Sequence, residues 1–524
     1  MMSATSSTVP ESPPSFVLGA SVREMFLMAL GSLVLLIVEV LMSTPWILFG
    51  RYLWIDELWT KLIASEPSVW QSLVALKHSG DPTPPVYHLL ARASWGLVGG
   101  SGETAFRTLA FVSMWVALVL IYALLRRTFA VLPALVAVLA FWSSPPIIEY
   151  AFFARPYAPL LAAIAGFCLI YGADKKGPAA TALTAAMAAL VCTLHYFGVF
   201  ALASVVLGDT LARHEPLPAM IRRWLPAAAG PIAVAACWPF VHAWNTGQTV
   251  FSYLPPQSLG SAVRDVFLSW GGALEATVIL AFAWSISSLA RLTIHLLGYS
   301  GEARTPNIGP LQPVAGLLGL ILVPMFLAIF SALVYPAMTT RYMIPGLLGV
   351  TALLAVVASN TSPRILVGTA MLLMLLGARN LRVYSAWKLR WQTAEEQMTK
   401  IGQGDQLAIV TFNVHEAYLL YAYAPSLRSR LFIADFRTTH RDKLSRVVLL
   451  DYELETKWST VYADLPKLAN LDQLRRMGKF HLVNSEPPVL ADQENRPSIS
   501  LPLQKVAQVL SFRSVDGLYE VRPN

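Results

Sequence analysis

Charge is what this 524-residue chain has least of: 13% of its residues are Asp, Glu, Lys or Arg, against 55% hydrophobic ones. A soluble domain carries about 25% charged residues, so a single soluble globule is excluded, and the apolar content excludes a disordered chain. Cysteine is nearly absent. Cys168, Cys192 and Cys237 each sit inside an apolar run with no CxxC spacing, which argues against a disulfide framework or a zinc site and leaves small packing residues. A basic leader is missing as well. MMSATSSTVPESPPS has no basic n-region and no cleavage site, so the apolar run from about Phe26 to Leu48 is expected to remain as a membrane helix.

The shortage of charge is uneven. Residues 1–384 hold 36 charged residues, whereas residues 385–524 hold 34 in little more than a third of that length. The composition therefore predicts a multipass α-helical membrane domain over 1–384 and a soluble domain over 385–524. Apolar runs long enough to cross a bilayer fall near 22–48, 104–126, 131–148, 156–172, 178–194, 197–212, 224–244, 264–290, 311–335, 342–360 and 364–384, about eleven spans. The net charge of +8 follows from basic residues flanking such spans and implies no nucleic-acid partner.

Basic residues in the short connections give the orientation. Arg126, Arg127, Lys175, Lys176, Arg213, Arg222, Arg223, Arg291, Arg304 and Arg364 fall on one side, and only Arg155, Arg264 and Arg341 in the short loops of the other. The richer side is expected to be cytoplasmic, with the N-terminus inside and the tail outside a plasma (inner) membrane. The first outer loop, about 49–103, is too polar to span. Its segment VYHLLARASWGLVG is amphipathic and predicts an interfacial helix, and the Pro84-Pro85 pair suits a helix start.

In the tail, QLAIVTF, RLFIADF, RVVLLDY and KFHLVN read as strands, and HEAYLLYAYA and LPKLANLDQLRRMG as helices. That alternation predicts a small α/β domain. It contains no GxGxxG, P-loop or GxSxG motif.

In this topology the residues able to do chemistry share one side. Asp56 and Glu57 open the first loop, Asp81 follows, and Arg155, His195-Tyr196 and Arg341-Tyr342 each stand at the outer end of a span. A carboxylate can take a proton from a hydroxyl nucleophile, arginines can hold a phosphate bidentately, and an apolar groove can take a lipid tail. Together these describe transfer from a lipid phosphate to a hydroxyl.

WIDELWT, DPTPPVYHLLAR and GETAFRTLAFV, in this order, resemble the opening of the polyprenyl-phosphate-sugar-dependent glycosyltransferases. These are the multipass C-type superfamily of protein O-mannosyltransferases, aminoarabinose transferases and rhizobial galacturonosyltransferases. YAFFARPYAPLLA resembles that family's Tyr-x-x-Glu-Ala-Arg-Pro-Tyr-Ala element, and HYFGVF and RYMIP follow in the expected order. The resemblance spans about residues 25–385 and leaves out the tail. It implies a sugar moved from a polyprenyl-phosphate donor to a glycan, lipid or protein acceptor, with inversion. Asp56 would be the general base, and Glu57 would orient the site or touch a metal.

The donor- and phosphate-binding candidates are Lys77, Asp81, His88, Arg155, Tyr157, His195, Tyr196, Arg341 and Tyr342. Where the family often has His and Glu this chain has Thr83 and Phe153, both at plausible ligand positions. No cofactor is therefore expected, with a divalent metal as the alternative. Competing readings are a lipid or solute transporter, for which no internal repeat is seen, and a catalytically degenerate assembly subunit.

Overall fold

The computed structural model describes residues 22–24, 26, 30–31, 33, 46–78, 81, 83–173, 177–213, 215–240, 311–333, 340–400, 407–411, 414–435, 465–477, 480–483, 510–515 and 518–523. The span expected at 264–290, most of that at 22–48, the RVVLLDY strand, and Lys175, Lys176, Arg264, Arg291 and Arg304 lie outside the described residues.

Helices dominate. Before and within the first loop come α1 (Trp46–Gly50), α2 (Ile55–Ala64), α3 (Val69–His78) and α4 (Pro85–Val98). The loop is thus largely helical, and α4 starts on Pro85 as the Pro-Pro pair suggested. The apolar runs then become α5 (Gly102–Leu125), α6 (Val131–Ser143), α7 (Pro145–Ala151), α8 (Tyr157–Tyr171), α9 (Pro178–Leu194) and α10 (Gly198–Arg213). After these follow α11 (Leu217–Trp224), α12 (Ala229–Ala236), α13 (Gln312–Gly319), α14 (Val323–Leu333), α15 (Pro345–Ser359) and α16 (Pro363–Lys400).

Among the described residues three helical stretches are each long and apolar enough to cross a membrane: Gly102–Leu125, Gln312–Leu333 and Pro363–Ala386. The run expected at 131–148 is a bent pair, α6 and α7 meeting at 71°. Pro145 follows extended Ser144 there, and proline cannot continue the helix before it.

Small residues let the bundle close. Gly208 of α10 and Gly319 of α13 face each other so tightly that a Cβ on either would overlap the other helix's backbone, the close approach that packs helices in lipid. The three cysteines are free and buried.

The last span does not stop at 384. It continues as one 38-residue helix to Lys400, about 57 Å long at 1.5 Å per residue, so the charged stretch after Tyr384 extends it. Beyond lie β1 (Ala408–Thr411), α17 (Val414–Tyr423), β2 (Leu431–Asp435), β3 (Lys467–Asn470), α18 (Leu471–Met477), β4 (Phe480–Val483), β5 (Leu510–Val515) and β6 (Leu518–Pro523).

The strands form one sheet in the order β3-β2-β1-β4-β6-β5. The first four strands run parallel, and β6 and β5 add an antiparallel hairpin. Residues 467–470, expected to be helical, are a strand, because their backbone completes the ladder beside β2. Only the second half of that segment is helix.

Two apolar cores result. One lies within the bundle, from Leu48 to Leu381. The other joins Leu53, Leu58, Trp59 and Ile63 of the first loop to Ile409, Val410, Tyr418, Leu420, Ile433 and Phe480 of the tail.

Candidate active site

The acidic pair divides. Asp56 and Glu57 stand in the first turn of α2, where carboxylates face the positive end of the helix dipole. Adjacent positions on a helix point about 100° apart, and here the difference separates their surroundings.

Glu57 turns inward and is fully buried. Its Oε2 accepts from the Trp54 backbone N–H at 2.8 Å and lies 3.3 Å from Arg107 Nη2 and 3.4 Å from Arg51 Nη1. Its Oε1 accepts from the Ala154 N–H at 2.7 Å. Burial alone would raise the carboxyl, but the two guanidinium groups and two amides hold it at about 2. Arg107 also donates to the carbonyls of Phe49 and Tyr52. Glu57 thereby ties the loop entrance to the turn before Arg155.

Arg155 is likewise committed. Its Nη1 donates to Asp81 Oδ2 at 2.9 Å and to the Asp56 carbonyl at 3.0 Å, and its Nη2 donates to Thr83 Oγ1 at 2.9 Å. Asp81 Oδ1 accepts from the Thr83 N–H at 2.9 Å. Burial would raise the Asp81 carboxyl, yet Arg155 beside it keeps it well below the usual carboxylate range. His88 Nε2 is 3.5 Å from Asp81 Oδ2, but burial lowers the imidazole to about 4 and leaves it neutral at pH 7. Thr83 thus accepts a hydrogen bond from Arg155 where the resembling family often has histidine.

Asp56 is the partly open member. Its carboxylate is 18% exposed and meets Arg341, 30% exposed and 285 residues away, with Nη1 to Oδ2 at 2.9 Å. Beside this pair runs an aromatic wall. The Arg341 guanidinium sits 5.4 Å from the Tyr342 ring, and Tyr342 lies 5.1 Å from His195 and 4.5 Å from Phe197 between ring centroids. His195 is 5.8 Å from Tyr157, which meets Tyr150 at 4.7 Å. His195 Nδ1 accepts from the Phe197 N–H at 3.2 Å, and burial with Arg155 and Arg341 nearby lowers its imidazole to about 3. It is a neutral ring.

Eight of the sequence candidates therefore gather: Asp56, Asp81, His88, Arg155, Tyr157, His195, Arg341 and Tyr342 form one continuous cluster, with Glu57 beneath. Two stand apart. Lys77 is exposed in the last turn of α3, and among the described residues no hydrogen bond or ion pair joins it to the cluster. The Tyr196 hydroxyl is buried with no hydrogen-bond partner among the described residues. Arg51, Thr60, Tyr150 and Phe197 were missed as site neighbours. Only the spacing of Thr60, one turn after Asp56, offered a local signal.

No metal centre is formed by three or more His, Cys, Asp or Glu side chains among the described residues. Asp56, Glu57 and Asp81 each face a guanidinium.

No family model matches the chain, and no curated protein does. Solved structures do. The crystal structure of ArnT from Cupriavidus metallidurans bound to undecaprenyl phosphate superposes with a TM-score of 0.54 over 96% of this chain and 98% of that one, at 14% identity. The apo state of the same protein gives 0.46 over 94% and 98%, at 15% identity. The chain has the fold of that ArnT, and this is the multipass fold expected from the motifs.

Proposed function

We propose that the protein is an integral-membrane glycosyltransferase that moves a sugar from a polyprenyl-phosphate donor to a hydroxyl of a glycan, lipid or protein acceptor. The observation that carries this reading is the half-open Asp56–Arg341 pair against an aromatic wall, in a fold shared with a protein crystallised on undecaprenyl phosphate. Asp56 takes the acceptor's hydroxyl proton, and the acceptor oxygen bonds to the anomeric carbon. The bond from that carbon to the phosphate oxygen breaks, and polyprenyl phosphate leaves with the electron pair. Attack opposite the leaving group inverts the anomeric centre.

Arg341 is the phosphate ligand in this scheme. Arriving phosphate draws its guanidinium from Asp56, which frees the carboxylate as the substrates assemble. Arg155, already spread over Asp81, Thr83 and the Asp56 carbonyl, positions α2. The test is release of free polyprenyl phosphate by purified protein given a lipid-linked sugar. No release with any carrier-linked sugar would favour the transporter reading.

Lysine at 341 keeps the charge but loses the planar double donor that matches phosphate. Arg341→Lys is therefore expected to weaken donor use about tenfold or more, the scale of a charge-assisted hydrogen bond. Activity should survive a chelator. Full loss in chelator, with the lysine variant behaving like wild type, would assign charge compensation to a metal.

Orientation has its own check. A reporter fused after Ala386 should be active only outside the cytoplasm, and one at Lys175 only inside. A cytoplasmic tail would reverse the assignment of faces.

A further inference from the structure

One tail residue reaches the segment that carries Asp56. Tyr423, the last residue of α17, accepts a hydrogen bond from the Leu53 backbone N–H at 2.9 Å and donates to Glu103 Oε1 at 2.9 Å. The same Glu103 oxygen accepts from Lys61 Nζ at 2.6 Å, and Lys61 belongs to α2. The Tyr423 ring stacks on Tyr52 with centroids 3.9 Å apart and planes within 11°, while Lys61 Nζ lies 5.2 Å from the ring centre. The tail therefore bonds directly to Leu53, two residues before α2 begins, and reaches Lys61 within α2 through Glu103. Around these contacts the loop and tail share one apolar core.

We propose that Tyr423 is a positioning residue for the site, through which the C-terminal domain sets the placement of α2 and hence of Asp56 toward Arg341. The polar relay gives direction as well as adhesion. Leu53 N–H, the Tyr423 hydroxyl, the Glu103 carboxylate and the Lys61 ammonium alternate donor and acceptor, so each partner fixes the next. A ring stacked on Tyr52 without the hydroxyl would keep the domain docked yet release the Leu53 amide. The catalytic part of this inference rests on the glycosyltransferase reading. The positional part does not.

Tyr423→Phe separates them, because it retains the stack and removes the relay. In the purified full-length protein, hydrogen exchange of the peptide covering Leu53 to Leu58 should accelerate about tenfold, as expected for a lost hydrogen bond, with exchange in β1 and β2 unchanged. In the sugar-release assay, kcat should fall about tenfold at unchanged donor KM. Unchanged exchange at 53–58, or faster exchange with unaltered kcat, overturns the proposal. If wild-type protein releases no sugar, the transferase reading fails, and the exchange result alone decides whether Tyr423 places α2.

Discussion

Asp56→Asn should leave the protein folded and able to bind donor while lowering turnover at least about a hundredfold, the usual scale for losing a general base. The side chain keeps its size, and asparagine's amide oxygen can still accept from Arg341, so the 2.9 Å contact has a neutral replacement. What disappears is the negative oxygen that takes a proton. Asp56 is partly exposed, so its loss leaves no deeply buried charge and the thermal midpoint in detergent should barely move. Single-turnover release of polyprenyl phosphate is the measurement. Near-normal turnover would remove Asp56 from the chemistry and favour a transporter or assembly role.

Glu57→Gln, one residue on, should do the opposite. The family resemblance implies that Asp56 is the base and that Glu57 orients the site or touches a metal; in the structure Glu57 is enclosed between Arg51 and Arg107 at 0% exposure. Removing one partner of a buried ion pair costs about 3–5 kcal/mol, a large share of a typical folding free energy. Poor yield and a lowered thermal midpoint are expected, with the folded remainder retaining donor binding. Should Glu57→Gln be as stable as Asp56→Asn, the inward carboxylate does not hold the loop.

Acid provides a second reading of the same pair. Glu57 is held at about 2 against an ordinary 4.5, so its stabilisation is complete above 4.5 and is lost as pH falls from there toward 2. His88 titrates at about 4 rather than 6.5. The unfolded chain takes that proton first, so stability already declines between pH 6.5 and 4. A wild-type acid-unfolding curve should show both windows, and in Glu57→Gln the lower one should shrink to the part that the depressed Asp81 carboxyl contributes.

Much of the bundle was legible because long apolar runs have few alternatives in a membrane. The runs at 104–126, 156–172, 178–194 and 197–212 all appear as helices within a few residues. Local pattern failed where partners are remote. LPKLAN has helical spacing, but its backbone completes the ladder on β2. The β5–β6 hairpin was overlooked although Asp516-Gly517 separates two alternating runs, a short-range turn signal. At the site, residue type and shared face were enough to assemble Asp56, Arg155 and Arg341. Nothing near Glu57 in sequence distinguishes it from Asp56, because its partners Arg107 and Ala154 stand 50 and 97 residues away. Tyr423 is 320 residues from Glu103, beyond any periodicity.

The core shared by the first loop and the tail has a bearing on evolution by recombination. A chimera that exchanges only residues 401–524 with a relative would set a foreign surface against Leu53, Leu58, Trp59 and Ile63 and would be selected against. Segments 49–103 and 401–524, remote along the chain, would then be expected to be inherited as one unit. Any specificity that resides in that unit would travel between lineages as a linked pair of segments while the bundle stays in place.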